Sequence, residues 1–339
     1  MIGAPTCALP PVNEATTTPE RRGLARDGVR LLITDLAGGR HEDAAFRDLP
    51  AVLCRGDLLV ANDSATLPAA LPARREDGSG LAVHLSTRIS DDLWIAEPRG
   101  AIVAGGRVSL AGGASATFLT TVDAAHPRLW YVVLSLGEDV APFLARYGAP
   151  IRYRYVNEAL PLADYQTVFA RVPGSAEMPS AGRPFTPRVL DDVRHAGVDL
   201  ATITLHTGVS SPERHERPYR EWFEVSAHTA AAVNAARRRG NRIIAVGTTV
   251  VRALESAVAG GETFAAAGWT DRIITPERGV TVVDGLLTGF HEPQASHLDL
   301  LAAFAGNALL ESAYERAVAA GYLWHEFGDV HLLIRRCGR

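Results

Sequence analysis

Hydrophobic and polar positions divide the chain into stretches of different rhythm. Around residues 50–64, PAVLCRGDLLVANDS reads as a helix end, a turn and a short continuous apolar run, the pattern of a strand buried on both faces. From Leu81 to about Leu136 the rhythm changes to LAVHLST, DLWIAEPRG, RVSLAGGASATFLTTV and LWYVVLSL. These segments are short, partly alternating, rich in Val, Leu, Thr and aromatics, and separated by glycine-rich turns. Several strands with no helix between them predict a small antiparallel barrel or sandwich. After Tyr153 strands alternate with helices again, so the fold class expected is α/β, a large α/β domain carrying an inserted all-β domain. The expected division is residues 1–64 with 153–339 for the discontinuous α/β domain and 65–152 for the insertion.

Local punctuation sharpens the α/β part. Pro179 and Pro184 bracket a loop, and Thr186 caps a helix with Pro187 in its first turn that runs to about His195. VDLATITLHTG reads as a buried strand ending in a glycine turn. Ser226 caps AHTAAAVNAARRR, which Gly240 stops, and RIIAVG follows as a strand. Helix TVVRALESAVAG, strand VTVVDGLL and helices near Leu298–Phe304 and Asn307–Ala320 complete the expected body.

All 34 basic side chains are arginine, and the chain has no lysine. That excludes Schiff-base aldolases, pyridoxal phosphate enzymes, Walker-type phosphate loops and protein kinases, each of which depends on a lysine amine. A net charge of −4 gives no global drive toward nucleic acid. Any RNA contact then rests on local clusters such as Arg214, Arg217 and Arg220, or Arg237, Arg238, Arg239 and Arg242, which equally suit a solvated face. With 47% hydrophobic residues and no apolar run of about 18, the composition is that of a globular protein with no membrane partner. Cys7, Cys54 and Cys337 are odd in number and far apart, neither a disulfide framework nor a thiolate zinc site. The opening MIGAPTCALPPVNEATTTPE lacks the basic and apolar regions of a secretory signal, which points to the cytoplasm.

Candidate chemistry falls at strand ends. Gly247, Thr248 and Thr249 lie where a strand hands over to a helix, so backbone N–H groups and two hydroxyls converge on a place suited to a carboxylate or phosphate. It is not a dinucleotide fingerprint, because G-x-G-x-x-G is missing. Arg252 and Glu255 follow three residues apart, in reach of an ordinary ion pair. His206 ends a strand before Gly208, and His291 follows VVDGLL; each position suits a catalytic group or a hydrogen-bonded buried histidine. His291 and His297 bracket two acids, but not with the H-E-x-x-H spacing of metalloproteases, and no metal is expected. No Gly-x-Ser-x-Gly elbow supports a serine hydrolase.

Nine strings then occur in a recognisable order: Arg55 to Asp63 (RGDLLVAND), Tyr165 to Ala170 (YQTVFA), Pro179 to Gly182 (PSAG), Thr204 to His206, Ala245 to Thr249 with Arg252 and Leu254 to Ser256, Val283 to Thr288 (VDGLLT), Phe290-His291-x-Pro293, Ala303 to Gly306, and Gly328-Asp329. Over about residues 45–335 they resemble the S-adenosylmethionine:tRNA ribosyltransferase-isomerase family of queuosine biosynthesis. The resemblance implies an inserted six-stranded barrel. It also implies a transferase and isomerase that moves the ribosyl moiety of S-adenosylmethionine, its co-substrate, to a 7-aminomethyl-7-deazaguanine base in tRNA. Adenine and methionine leave, and the sugar becomes the epoxycyclopentane of epoxyqueuosine.

The sulfonium of such a substrate acidifies the adjacent C5′ hydrogens, so acid–base groups suffice without a metal. The implied catalytic residues are His206, His291 and Asp284. Substrate binding is expected of Asn62, Tyr165, Gln166, Ser180, Gly182, Gly247, Thr248, Thr249, Arg252 and Asp329. With no lysine amine, proton transfer falls to His, Asp, Glu or Tyr. Departures from the family pattern fall in loops: P-T-A-G-L-H-F is here Pro179-Ser180-Ala181-Gly182-Arg183-Pro184-Phe185, and the arginines of N-T-R-V-I-P-A-R are missing from Asn62 to Ala69. These leave two alternatives, a paralogue using a small-molecule acceptor and a non-catalytic nucleotide- or RNA-binding paralogue. The sequence leaves the oligomeric state open, with a monomer the simplest expectation.

Overall fold

The computed structural model describes residues 14–209, 219–290 and 297–337. β1 (Arg30–Asp35) and β2 (Arg40–Ala45) form a hairpin; α1 (Leu49–Val52) leads to β3 (Leu58–Asn62) and the short β4 (Ser64–Thr66). Next come β5 (Ala70–Arg74), β6 (Gly80–Arg88), β7 (Leu93–Pro98), β8 (Arg107–Ser109), β9 (Ser115–Thr121) and β10 (Trp130–Ser135), followed by α2 (Val140–Tyr147). The chain returns through β11 (Val172–Ser175), α3 (Pro187–His195), β12 (Asp199–Leu205), β13 (Glu221–Val225), α4 (Ala227–Arg238), β14 (Ile243–Val246) and α5 (Thr248–Ser256). It ends with β15 (Val258–Ala259), β16 (Glu262–Thr263), β17 (Ala266–Thr270), β18 (Gly285–Gly289), α6 (His297–Ala305), α7 (Asn307–Ala319) and β19 (Val330–Ile334).

The main sheet has the order β17-β13-β12-β3-β14-β18-β19-β1-β2. Its centre, β12, β3, β14 and β18, is parallel, so four carboxyl ends emerge along one edge. The period of two along a strand explains the apolar run at β3. Leu58 and Val60 enter a core shared with α4 to α7, while Leu59 and Ala61 enter another shared with α1 and α3. The capping expectations hold: Thr186 Oγ1 accepts from Val189 N, and Ser226 Oγ accepts from Thr229 N.

The all-β stretch closes into a six-stranded antiparallel barrel, β10-β7-β6-β5-β8-β9, which settles the choice between barrel and sandwich. Leu71, Val83, Leu85, Trp94, Phe118 and Val132 fill it, and Phe143 and Leu144 of α2 pack onto the same core. Its two connections run side by side. Ala70 and Ala149 exchange backbone hydrogen bonds, β4 pairs with β11, and the Gln166 side-chain amide bonds both the N–H and the carbonyl of Thr66. The barrel thus hangs from the carboxyl edge of the sheet, immediately after β3.

Three expectations need correction. The strand expected at VTVVDGLL begins only at Gly285, because Thr281 N and Val282 N donate to Glu255 Oε1 and not to a neighbouring strand. The helix expected at TVVRALESAVAG stops at Ser256, and the chain turns through Gly260 and Gly261, both at positive φ. Cys54 and Cys337 are joined by a disulfide, their Cα atoms 6.3 Å apart. A sequence separation of 283 hides that neighbourhood: Cys54 lies just before β3 and Cys337 just after β19. Strands β1, β2 and β19 and helix α2 were not anticipated; β2 is a polar edge strand with no apolar face to read. No helix among the described residues is long and apolar enough to cross a membrane.

Candidate active site at the carboxyl edge of the sheet

The edge is tied together by Asn62, the last residue of β3. Its Nδ2 donates to Leu205 O (2.8 Å) and Thr249 Oγ1 (3.3 Å), while its Oδ1 accepts from Leu205 N (3.0 Å) and Ser64 N (3.0 Å). One side chain therefore fixes the ends of β3 and β12, the start of β4 and the first turn of α5. Asparagine suits this position because its amide presents donors and an acceptor together. Gly247 caps α5 at φ 98°, a conformation that favours glycine, and Ala181 packs where a Cβ on Gly247 would point.

His206 follows β12. Its Nδ1 is 2.8 Å from Ser64 Oγ, which lies 2.6 Å from Ser175 Oγ; Ser175 Oγ in turn accepts from Thr207 N. The ring stacks on Trp222 at 5.3 Å between centroids, and a Cβ on Gly174 would overlap it on another side. Burial lowers its pKa, with the Asp63 carboxylate acting in the opposite direction. Nε2 has no hydrogen-bond partner among the described residues.

From His206 the site continues into a carboxylate cluster that the sequence reading missed. Thr207 Oγ1 donates to Glu177 O (2.7 Å), and the Glu177 carboxylate accepts from Tyr153 OH. Tyr153, Tyr155 and His325 stack in sequence at 5.7 and 4.2 Å. His325 has φ 70°, the one positive φ among described residues other than glycine, in the turn that presents Glu326. Glu326 Oε1 is buried with no partner among the described residues. Burial, then the charge of Glu177, pushes its pKa up to about 8, against the Tyr155 hydroxyl and Arg183. The only signals in the sequence were adjacency: Glu177 precedes Pro179-Ser180-Ala181-Gly182 and Glu326 precedes Gly328-Asp329.

Glu326 also lines a small, solvent-open cleft, together with Ser180, Arg183, Phe327 and Asp329. Ser180 and Gly182 form a short 3-10 turn, and Thr167 and Phe169 pack against Gly182. Tyr165 stands behind the cleft, its ring 5.2 Å from Phe327 and its hydroxyl buried without a partner among the described residues. Asp329 accepts from Arg30 N and Leu323 N, both 2.8 Å; burial raises its pKa although these bonds act against the rise. Arg183, where the family pattern has leucine, is buried against Glu20 (3.0 Å) and 5.0 Å from the Phe327 ring. It seals the cleft from behind.

The other expected site residues lie elsewhere. Arg252 is 9% exposed and fully engaged: it pairs with Glu221 and donates to the carbonyls of Arg272, Tyr219 and Thr270. It does not pair with Glu255. Asp284 accepts from Ile243 N at the amino end of β14, so a strand's length, roughly 15 Å, separates it from the edge. Gln166 braces the barrel connections. Arg237 and Arg242 are likewise occupied, Arg237 by Gly261 O and Thr281 O and Arg242 by Asp57. His291, Arg214 and Arg217 lie outside the described residues. Among the described residues no group of three His, Cys, Asp or Glu side chains is placed to hold a metal ion.

The arrangement brings together an oriented imidazole, a buried carboxyl with a free oxygen and a helix start, all at one sheet edge. A family model described as queuosine biosynthesis protein matches residues 6–333. The chain is 41% identical to S-adenosylmethionine:tRNA ribosyltransferase-isomerase of Acidithiobacillus ferrooxidans, over 93% of each chain. It is 36% identical to the enzyme of that name from Thermus thermophilus, over 96% of this chain and 97% of the other. A crystal structure of S-adenosylmethionine tRNA ribosyltransferase from Thermotoga maritima is similar with a TM-score of 0.55 and 29% identity, covering 96% of this chain and 97% of that one.

Proposed function

Because the chain belongs to the queuosine biosynthesis family of S-adenosylmethionine:tRNA ribosyltransferase-isomerases, we propose that it transfers and isomerises the ribosyl moiety of S-adenosylmethionine onto a 7-aminomethyl-7-deazaguanine base in tRNA. The product is epoxyqueuosine in tRNA, with adenine and methionine released, and the cytoplasm is where such a substrate is found. S-adenosylmethionine is consumed as a co-substrate. The acid–base groups assigned below carry the reaction without a metal.

The observation that carries the residue assignment is Glu326. A carboxyl whose pKa is raised toward neutrality, with one buried oxygen unengaged beside a cleft, has the properties of a general base at working pH. A sulfonium bound beside it lowers its pKa by direct charge attraction and so favours the ionised form. Glu326 then takes a C5′ proton next to the sulfur, and the pair of electrons left on C5′ opens the rearrangement. Ser180 and the Gly247–Thr249 helix start supply hydroxyls and N–H groups for the methionine carboxylate, and Asn62 fixes that helix start against His206. His206 meets the reacting sugar or base from the end of β12. Arg252, already paired, holds the scaffold, and Asp284 takes no part.

The test is to incubate the protein with S-adenosylmethionine, with and without tRNA carrying the aminomethyl-deazaguanine base, and to follow adenine and methionine. Release that depends on the tRNA is expected, and Glu326→Gln abolishes it while S-adenosylmethionine still binds. Release without tRNA overturns the tRNA acceptor in favour of a small molecule. Binding without release under every condition overturns the enzyme reading.

A further inference from the structure

The hydroxyl chain behind His206 fixes more than the ring's position. Ser64 and Ser175 are 1% and 0% exposed, so water does not supply their partners. Ser175 Oγ already accepts from Thr207 N (3.0 Å), and among the described residues the one acceptor in reach of its own proton is Ser64 Oγ at 2.6 Å. Ser64 Oγ, accepting from Ser175, sends its proton to the remaining neighbour, His206 Nδ1 at 2.8 Å. Each hydroxyl has a single proton to give, so the direction of the whole chain follows from its buried end.

We propose that the Ser175–Ser64 chain locks His206 as the neutral tautomer with the proton on Nε2, making it a hydrogen-bond donor to the substrate and not the group that removes a proton. The inference rests on the function proposed above for what the donor meets, a lone pair on the departing purine or on a sugar oxygen. It replaces the expectation that His206 transfers protons. No bond to hydrogen breaks at the ring: a neutral imidazole holds the developing negative charge by its N–H, and the proton removed from C5′ goes to a carboxylate.

Protonating Nδ1 runs against the chain. Nδ1–H must donate to Ser64 Oγ, Ser64 must then donate to Ser175 Oγ, and the Ser175 proton is left in a dry interior without an acceptor. The acids packed around the ring are engaged by other partners, although Asp63 still pulls toward the charged ring. The Asp63 carboxylate is taken up by the hydroxyls of Thr204 (2.6 Å) and Thr202 (3.3 Å). Glu221 on the strand of Trp222 is held by Arg252 and by Gly208 N, and the nearby Glu177 carboxylate takes the Tyr153 hydroxyl. Burial lowers the pKa of the ring in the same direction. Ser64 and Ser175 are accordingly positioning residues.

The experiment is nitrogen-15 NMR of histidine-labelled full-length protein without substrate, compared between wild type, Ser64→Ala, Ser64→Thr and Ser175→Ala from about pH 6 to about pH 8. The expected wild-type signal has Nε2 protonated and Nδ1 bare throughout. Ser64→Ala gives a mixture of tautomers and a higher ring pKa, Ser175→Ala shifts the same way to a lesser extent, and Ser64→Thr restores the wild-type pattern. In the tRNA-dependent assay Ser64→Ala lowers kcat about tenfold or more with KM little changed. A wild-type ring with its proton on Nδ1, or charged across that range, overturns the proposal. Because the tautomer is read without substrate, loss of this inference is distinguishable from loss of the reaction assigned above.

Discussion

At the end of β12 and in the seam between β19 and β1 the sheet holds a histidine against an aromatic ring and a hydroxyl, half-buried at the first place and fully buried at the second, with opposite consequences. His206 stacks on Trp222 and takes a serine hydroxyl at Nδ1. His331 stacks on Phe290 at 5.5 Å and has the Thr34 hydroxyl 2.8 Å from Nε2. Thr34 Oγ1 also lies 3.0 Å from His41 Nδ1, and His41 Nε2 is 3.2 Å from Ser312 Oγ at the surface. His331 Nδ1 is buried without a partner among the described residues, so the low-energy arrangement leaves it bare and sends the Nε2 proton to Thr34. Both rings thus carry their proton on Nε2. In the seam that proton is consumed by a chain running outward to solvent. At β12 the chain runs inward to Nδ1 and leaves the Nε2 proton to face the site. Direction of donation, together with the greater exposure of His206, distinguishes the two rings where residue type does not.

Replacing each ring gives the largest contrast. His206→Ala is expected to lower kcat/KM for tRNA-dependent adenine release by a factor of about 10² to 10³, with unfolding free energy changed by about 1 kcal/mol or less. His331→Ala leaves a hole among Phe290, Tyr314 and Thr34 and is expected to cost about 3 kcal/mol, with activity per folded molecule preserved. Urea denaturation and steady-state kinetics on both variants check this. A His206 variant that retains full turnover, or a His331 variant with unchanged stability, removes the distinction.

Gly174→Ala attacks one half alone. The new Cβ falls on the His206 ring, which is flanked by Trp222 and Ser64 and has little room to move. Activity is expected to fall by about tenfold to a hundredfold, while the seam, and with it most of the stability, stays intact. Wild-type kinetics in this variant would show that the ring need not sit where the structure has it.

That result bears on what the sequence could disclose. The strand end at Leu205-His206 was legible because an apolar run met a glycine turn, and the barrel was legible because alternating segments followed one another without a helix. Asn62 was found through the string around β3, but its bracing of three elements was not, since that depends on β12 and α5 being neighbours. Ser64 and Ser175 carry no signal, being ordinary serines 111 positions apart. Glu177 and Glu326 meet only because the segment before the Ser180 turn folds against the loop before β19. Arg252 and Asp284 depart in the opposite way: each sits in a strong family string, yet the structure engages Arg252 with Glu221 and three carbonyls and sets Asp284 at the amino end of β14. His331 escaped notice because a histidine inside VHLLI reads as an interruption of a strand, whereas it is the strand's buried hydrogen-bonding residue.

The pH dependence of stability probes the seam more gently. Burial, with a smaller contribution from His41, lowers the His331 pKa to about 3. Between about 6.5 and about 3 the unfolded chain binds a proton at this position that the native state refuses, so stability rises with pH there and is lost as the solution is acidified. The slope approaches about 1.4 kcal/mol per pH unit from this residue alone. Glu326, raised to about 8, acts with the opposite sign from about 4.5 upward, so the informative quantity is the difference between variants. His331→Gln is expected to lose less stability than wild type on going from about pH 7 to about pH 5, and His206→Gln to differ less from wild type. Equal acid sensitivity in wild type and His331→Gln would place the low-pH loss elsewhere.

The smallest expected effect tests the direction of donation directly. In Thr34→Val the His331 Nε2 proton loses its acceptor and His41 Nδ1 loses its donor, while the volume of the side chain is retained. A buried, unsatisfied imidazole N–H costs about 1 to 3 kcal/mol, and His41 is partly exposed and recovers its bond from water. The net loss is therefore expected at about 1 to 2 kcal/mol by urea denaturation, with no change in kcat. The corresponding change at the other histidine, Ser64→Ala, removes the donor to the ring and also the acceptor of the buried Ser175 proton. The ring then turns its proton toward other partners, so turnover falls about tenfold or more, with a stability loss of about 1 to 3 kcal/mol from the orphaned Ser175 hydroxyl. If Thr34→Val instead reduced turnover, the seam and the site would be coupled through Phe290, and the two histidines would belong to one network and not two.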